Sequence, residues 1–205
     1  MSSQNDETVA TYEKFADDYI ARDNTRTRED FYEYWVDDAF SDVPKNAEIL
    51  EIGAGHGRDA DYISSKGFTV TVSDVTNSFL KELRAKGYSA EQLDIIQSPA
   101  RKRYDVVYAS AVFLHFTLED LLLALHNVNH SLKPGGCLAF NVIQGQGERT
   151  VTTEQGQLKR YFRYYELDEL ERELSMAGFS ILDMRKSAYH DKTWIYLTCK
   201  KEIEL

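Results

Sequence analysis

Leu50-Glu51-Ile52-Gly53-Ala54-Gly55-His56-Gly57-Arg58 is the most informative stretch of the chain. A short apolar run ends in glycines spaced two apart, and a polar, helix-compatible segment, 58–65, follows. A strand, a tight loop and a helix in that order open a parallel α/β unit. Gly53 and Gly55 lack a Cβ, so a ligand can lie against their backbone. The helix start presents free N–H groups and the positive end of its dipole to an anionic group. In an open α/β sheet the crevice at the strand C-termini is where ligands bind. The spacing is G-x-G-x-G, whereas dinucleotide binders want G-x-G-x-x-G.

The flanking sequence continues the alternation. Residues 68–73 (Phe-Thr-Val-Thr-Val-Ser) read as a β-branched strand ending at Asp74. Residues 77–85 read as helix, and 87–93 lead into a weaker strand followed by Asp94. Tyr104-Asp105-Val106-Val107-Tyr108 is a fourth strand, 118–132 an apolar helix, and 137–143 a fifth strand. Lys133-Pro134-Gly135-Gly136 between them reads as a turn. After a polar segment, 144–159, come the aromatic-basic run Arg160 to Tyr165, an amphipathic helix over 167–176, and two closing strands at 181–184 and 193–198. The first 45 residues carry no strand pattern. Val9, Tyr12, Phe15, Ala16, Tyr19 and Ile20 recur at helical spacing, and a second helical stretch surrounds Phe31, Tyr34, Trp35, Ala39 and Phe40. The expected organisation is a helical cap, 1–45, on one compact Rossmann-like unit, 46–205.

Composition sets outer bounds. The 205 residues suit one core, and 42% hydrophobic with 28% charged residues exclude a disordered or fibrous chain. No stretch approaches the roughly 20 apolar residues of a membrane span. The polar N-terminus (MSSQNDETVA) has no apolar core of a secretory signal. Cys137 and Cys199 stand 62 residues apart with no CxxC or His/Cys cluster, so neither a disulfide framework nor a metal site is expected. Free thiols in a reducing cytoplasm are the expectation. The net charge is −10, with 34 acidic against 24 basic residues, and no basic block exceeds Arg101-Lys102-Arg103. Such a surface repels nucleic-acid phosphates.

Taken together, Glu51-Ile-Gly53-Ala-Gly55-His-Gly57, Asp74, Asp94, Tyr104 to Ser110 and Lys133-Pro-Gly-Gly136 resemble the ordered motifs of class I S-adenosylmethionine-dependent methyltransferases. The resemblance covers roughly residues 45–200. It implies a seven-stranded sheet of order 3-2-1-4-5-7-6 with strand 7 antiparallel. It implies cofactor contacts at Glu51, Gly53, Ala54 and Gly55, at Asp74 and Val75 (ribose), at Asp94 and Ile95 (adenine), and at Ala109. Ala54 departs from the cysteine or third glycine that many relatives carry. Tyr12 and Tyr19, seven residues apart on one helix face, match tyrosines that close over the methionine moiety in similar enzymes.

Methyl transfer is an in-line displacement on an already activated sulfonium, so alignment supplies much of the rate. A base is needed only for a poorly acidic hydroxyl or a protonated amine. His115, five residues past Ser110, is the candidate base or acceptor-orienting residue. In Arg160-Tyr161-Phe162-Arg163-Tyr164-Tyr165, Arg160, Phe162 and Tyr164 alternate with Tyr161, Arg163 and Tyr165. One face suits an anionic or aromatic acceptor through a guanidinium fork and ring stacking, with Arg149 an addition from the same region. Trp194 reads as packing. The expected activity is methyl transfer to oxygen or nitrogen of a small molecule, by a cytoplasmic monomer or homodimer without metal. A tRNA-modifying methyltransferase and a cofactor-binding protein without catalysis are the alternatives.

Overall fold

The computed structural model describes residues 3–23, 32–152, 159–189 and 191–203. Phe31 of the expected second helical stretch lies outside them. Seven strands form one sheet: β1 (Glu48–Ile52), β2 (Thr69–Asp74), β3 (Ala90–Gln92), β4 (Tyr104–Ala109), β5 (Leu132–Ile143), β8 (Phe179–Tyr189) and β9 (Lys192–Lys201). Their order is β3-β2-β1-β4-β5-β9-β8. The first five run parallel, and β9 lies antiparallel between β5 and β8. With the two extra strands of a separate hairpin left out of the count, this is the order the resemblance implies.

Strand parity divides the core. Leu50, Ile52, Val107 and Ala109 pack on one face with α6 (Leu118–Ser131) and α7 (Leu167–Met176). Ile49, Val72, Val106 and Tyr108 pack on the other with α4 (Arg58–Ser65) and Leu83 of α5 (Asn77–Ala85). The N-terminal residues contribute α1 (Ser3–Lys14), α2 (Ala16–Asp23), and a π-helical turn, Tyr32–Val36, running into the single turn α3 (Asp37–Ala39). Trp35, 1% exposed, stacks on Tyr108 at 5.3 Å and lies 5.2 Å from Tyr196. It is therefore part of the sheet's own core.

Two segments differ from the sequence reading. Residues 133–136 are not a free turn but a bulge inside β5. Tyr104 pairs with Leu132 while Val106 pairs with Cys137, so four residues stand opposite one. Lys133 reaches back to Asp105, whose carboxylate also accepts the Glu48 N–H at 2.8 Å. The polar stretch after β5 contains a strand, β6 (Glu148–Thr152), paired antiparallel with β7 (Lys159–Arg163) as a separate hairpin. Its outer edge is covered by α1 rather than by a strand. Thr11 Oγ1 donates to the Lys159 carbonyl (2.8 Å) and accepts from the Lys159 N–H, and Thr8 Oγ1 accepts from the Tyr161 N–H (3.0 Å). Threonines three apart on a helix meet the edge groups of alternate strand residues, which face the same way. No helix among the described residues is long and apolar enough to cross a membrane.

Trp35→Ala should destabilise the protein by about 3–5 kcal/mol, because the ring is enclosed in the core and its removal leaves a cavity. Urea unfolding measures this, and a loss below about 1 kcal/mol would place Trp35 outside the core.

Candidate functional site

The C-terminal ends of β1, β2 and β4 open into a cavity of about 400 Å³. The glycine loop forms its floor with φ of +63° at Gly53 and +57° at Gly55, values that favour glycine. The two glycines serve different needs. A Cβ at Gly53 would lie 2.7 Å from a Val112 methyl, whereas one at Gly55 meets nothing within 4 Å and would point into open space. Gly53 thus admits a side chain of the protein, and Gly55 leaves room for a ligand.

Asp74 and Asp94 line the same part of the wall. Asp74 is buried; its Oδ2 accepts the Gly55 N–H (2.9 Å) and its Oδ1 the Thr76 N–H (2.8 Å). Burial raises its carboxyl above the ordinary range while the Thr76 and Gly55 N–H groups pull it down. Asp94 Oδ1 accepts the Ile96 N–H (3.0 Å), and its Oδ2 is buried without a hydrogen-bond partner. Burial raises this carboxyl as well. Val75 and Ile95 stand beside them, and Tyr12, Tyr19 and Phe79 close the cavity as a cluster with ring centroids 5.5–6.3 Å apart. Glu13 accepts from Ser78 Oγ (2.7 Å) and so ties α1 to the start of α5.

Opposite the two acids sits His115, in a short 3₁₀ turn, Phe113–His115. Its Nδ1 lies 2.7 Å from the Tyr161 carbonyl and its Nε2 3.1 Å from the Tyr12 hydroxyl. A carbonyl only accepts, so Nδ1 carries the proton and Nε2 presents its lone pair. Arg160 donates to the same Tyr12 hydroxyl at 3.5 Å. Burial first, then the charges of Arg160 and Lys192, pushes the His115 pKa down from 6.5 to about 3. The imidazole is neutral at physiological pH. Tyr165 fixes the turn by donating its buried hydroxyl to the Phe113 carbonyl at 2.8 Å. Just before it, Ala111 adopts φ +57° without being glycine, and its N–H donates to Asn141 Oδ1 at 2.6 Å. Strain of this kind persists where surrounding bonds over-determine it.

The cavity wall thus gathers Tyr12, Tyr19, Gly53, Gly55, Asp74, Val75, Asp94, Ile95, His115 and Arg160. The other sequence candidates do not lie on it. Glu51 shares the parity of Ile49, so its side chain lies under the opposite sheet face, buried, with Oε2 unpartnered and its carboxyl raised by burial and by Asp59. Ala54 and Ala109 face the two cores, while their neighbours Gly53, Gly55 and Ser110 line the cavity. Tyr161 and Arg163 point to the far side of the hairpin, where Tyr161 donates to Glu148 and Arg163 to Glu169. Tyr164 packs over Gly145, and Arg149 is exposed on β6. Sequence reasoning missed Phe79, Ser110, Ala111, Lys192 and Trp194, all of which line the cavity. Trp194 packs against two of the core clusters, as expected, and in addition lines the cavity with its indole N–H buried and without a partner.

These residues fit the cofactor that the resemblance implies. The unpartnered Asp94 Oδ2 offers an acceptor to an exocyclic amine, Asp74 a carboxylate to ribose hydroxyls, and Gly55 an open approach to backbone. No cluster among the described residues has the groups to hold a metal ion.

Comparison with known proteins agrees. The chain matches the methyltransferase domain family over residues 25–183. It is 28% identical over 152 residues to the N-terminal Xaa-Pro-Lys N-methyltransferase 1-A of Xenopus laevis, covering 69% of this chain and 65% of that protein. The chain spans about half to two thirds of the length of the curated relatives it matches first. Its fold is similar to that of the 1,6-didemethyltoxoflavin-N1-methyltransferase of Burkholderia thailandensis, solved with 1,6-didemethyltoxoflavin and S-adenosylhomocysteine (TM-score 0.75, 18% identity, 99% of this chain and 92% of that one). It is also similar to DhpI in its SAM-HEP complex (TM-score 0.78, 17% identity, 97% and 99%).

Asp94→Asn removes one carboxylate acceptor and keeps the other for Ile96, so the dissociation constant for S-adenosylhomocysteine should rise about tenfold or more. Unchanged affinity in a calorimetric titration removes Asp94 from the site. A second outcome concerns pH. Between pH 6.5 and about 3 the unfolded chain binds a proton at residue 115 that the folded chain refuses. The stability contributed by the neutral ring is present above that window and is lost as pH falls, by about 3 kcal/mol near pH 4. Urea titrations at the two ends of the window should show His115→Gln losing less stability on acidification than the parent protein; parallel losses contradict the assignment.

Proposed function

The chain belongs to the class I S-adenosylmethionine-dependent methyltransferases, and from that premise we propose that it methylates an oxygen or nitrogen of a small molecule held between the sheet and α1. The observation that carries this reading is His115 Nε2, a lone pair held in place at the acceptor side of the cavity. When bound, the cofactor supplies an electrophilic methyl group on a sulfonium. The chain's own work is then to bind, align and exclude water. Asp74, Asp94 and the glycine loop bind the adenosyl end. Tyr12, Tyr19 and Phe79 form a lid of rings that keeps water from the reacting centre.

His115 orients rather than deprotonates. A ring that protonates only near pH 3 is a poor base at neutral pH, but its Nε2 still accepts a hydrogen bond. The Tyr12 hydroxyl, 3.1 Å away, marks where an acceptor's O–H or N–H would stand. An acceptor displacing Tyr12 would donate its O–H or N–H to Nε2 and so aim its lone pair at the methyl group; S-adenosylhomocysteine is the leaving group, the acceptor's proton passes to solvent, and proximity supplies the rate. A cavity of about 400 Å³ roofed by helix and hairpin suits a small acceptor, and the net charge of −10 speaks against a nucleic acid. The small acceptor bound to the Burkholderia fold neighbour supports the same class.

The test is formation of S-adenosylhomocysteine over a panel of small hydroxyl and amine acceptors, compared with reactions lacking acceptor and with bulk tRNA. His115→Ala should lower kcat about 10–100-fold while leaving cofactor affinity nearly intact. Equal losses in both would reduce His115 to a support of the fold. Cofactor binding without turnover on any acceptor would favour a binding protein, and turnover on tRNA alone would overturn the small-acceptor reading.

A further inference from the structure

The far side of the cavity from Asp74 and Asp94 is built from donors. Arg160 of β7 and Lys192, the first residue of β9, both stand over the Phe162 ring, 5.4 and 5.3 Å from its centroid. Both line the cavity, as does Trp194, whose indole N–H is buried and unpartnered. Among the described residues neither cation has a carboxylate partner; Arg160 reaches only the Tyr12 hydroxyl. Their neighbours behave differently. Lys159 pairs with Glu7, and Arg163 pairs with Glu169. In a chain with 34 acidic and 24 basic residues, partners for cations are abundant. Two half-buried cations left facing the same space, with a spare N–H beside them, form a site short of negative charge.

The acids Asp74 and Asp94 follow β2 and β3, whereas Lys192 opens β9 and Arg160 stands beside it on the hairpin; a third lining cation, Arg22, lies apart from both, over the Tyr19 ring of the cap. The ribose hydroxyls and adenine amine of the cofactor, all hydrogen-bond donors, suit the acids. We propose that the methyl acceptor carries an oxyanion group, a carboxylate or a phosphate or phosphonate, held by Arg160, Lys192 and the Trp194 N–H, and that Lys192 selects for it. The inference rests on the methyl-transfer reading above and names the acceptor's chemical class. The anion is an anchor: the nucleophilic O–H or N–H of the same molecule stands at His115 Nε2. Arg160 offers a planar fork that can take two oxygens, and Lys192 a mobile point charge.

The probes are 4-hydroxybenzoate, 4-hydroxyphenyl phosphate and the neutral 4-hydroxybenzamide, titrated into the protein with S-adenosylhomocysteine present. At least one anion should bind about tenfold or more tightly than the amide, and the tighter anion identifies the oxyanion. Lys192→Met and Arg160→Gln should each abolish that preference, and Lys192→Met should leave S-adenosylhomocysteine affinity unchanged. No preference in the parent protein, whether through equal binding of all three probes or through none, overturns the anion site and leaves methyl transfer standing. A preference that survives both substitutions also overturns it. Failure of S-adenosylhomocysteine itself to bind overturns the methyl-transfer reading and this inference with it.

Discussion

The site hangs on one imidazole. His115 joins three segments that lie far apart in the chain: the loop after β4 that carries it, the hairpin whose Tyr161 carbonyl takes its Nδ1–H, and helix α1, whose Tyr12 hydroxyl meets its Nε2. Because the carbonyl only accepts, it fixes the tautomer, and the tautomer fixes which nitrogen faces the cavity. The same ring packs 4.8 Å from Phe162, the floor over which Arg160 and Lys192 stand. Burial and those two cations keep it neutral. A protonated ring here would face two positive charges and lose its acceptor.

Around that ring the hairpin is bonded to the cap. The hairpin's open edge finds no strand partner, and Thr8 and Thr11 supply hydroxyls instead. Each edge group left unmet in a buried setting would cost about 1–3 kcal/mol. Tyr165, fully buried, ties the base of the hairpin to the turn bearing His115. Helix, hairpin and turn are thus mutually bonded, and the Tyr165 N–H donates to the Ile143 carbonyl at 2.9 Å, joining the hairpin to the end of β5. This arrangement bounds the cavity by the glycine loop on one side and by side chains of the cap and hairpin on the other.

Much of the scaffold was legible because its signals are local. The helices over 58–65, 77–85 and 167–176 have the same limits in sequence and structure, since glycine loops, β-branched runs and amphipathic spacing act within a few residues. The order of the sheet came from a resemblance carried by several motifs, not from periodicity. What stayed hidden is non-local. Strand β6 has no apolar alternation, and its partner is held by threonines 148 or more residues away. Lys192 and Trp194 reach the cavity only because β9 pairs with β5. Glu51 stands beside the decisive glycines, yet strand parity turns it under the other face. Arg160 and Arg163 look alike in sequence; alternation sends one into the cavity and the other to Glu169.

On the methyl-transfer reading the cavity is an adenosyl site, with acids at one end and a lone-pair acceptor at the other. Calorimetric titration of the intact chain with S-adenosylmethionine and S-adenosylhomocysteine, with NADH as the control, tests it most directly. Both adenosyl compounds should bind one-to-one with micromolar affinity, and NADH should not bind. Absence of binding by either adenosyl compound, or comparable binding of NADH, would contradict it.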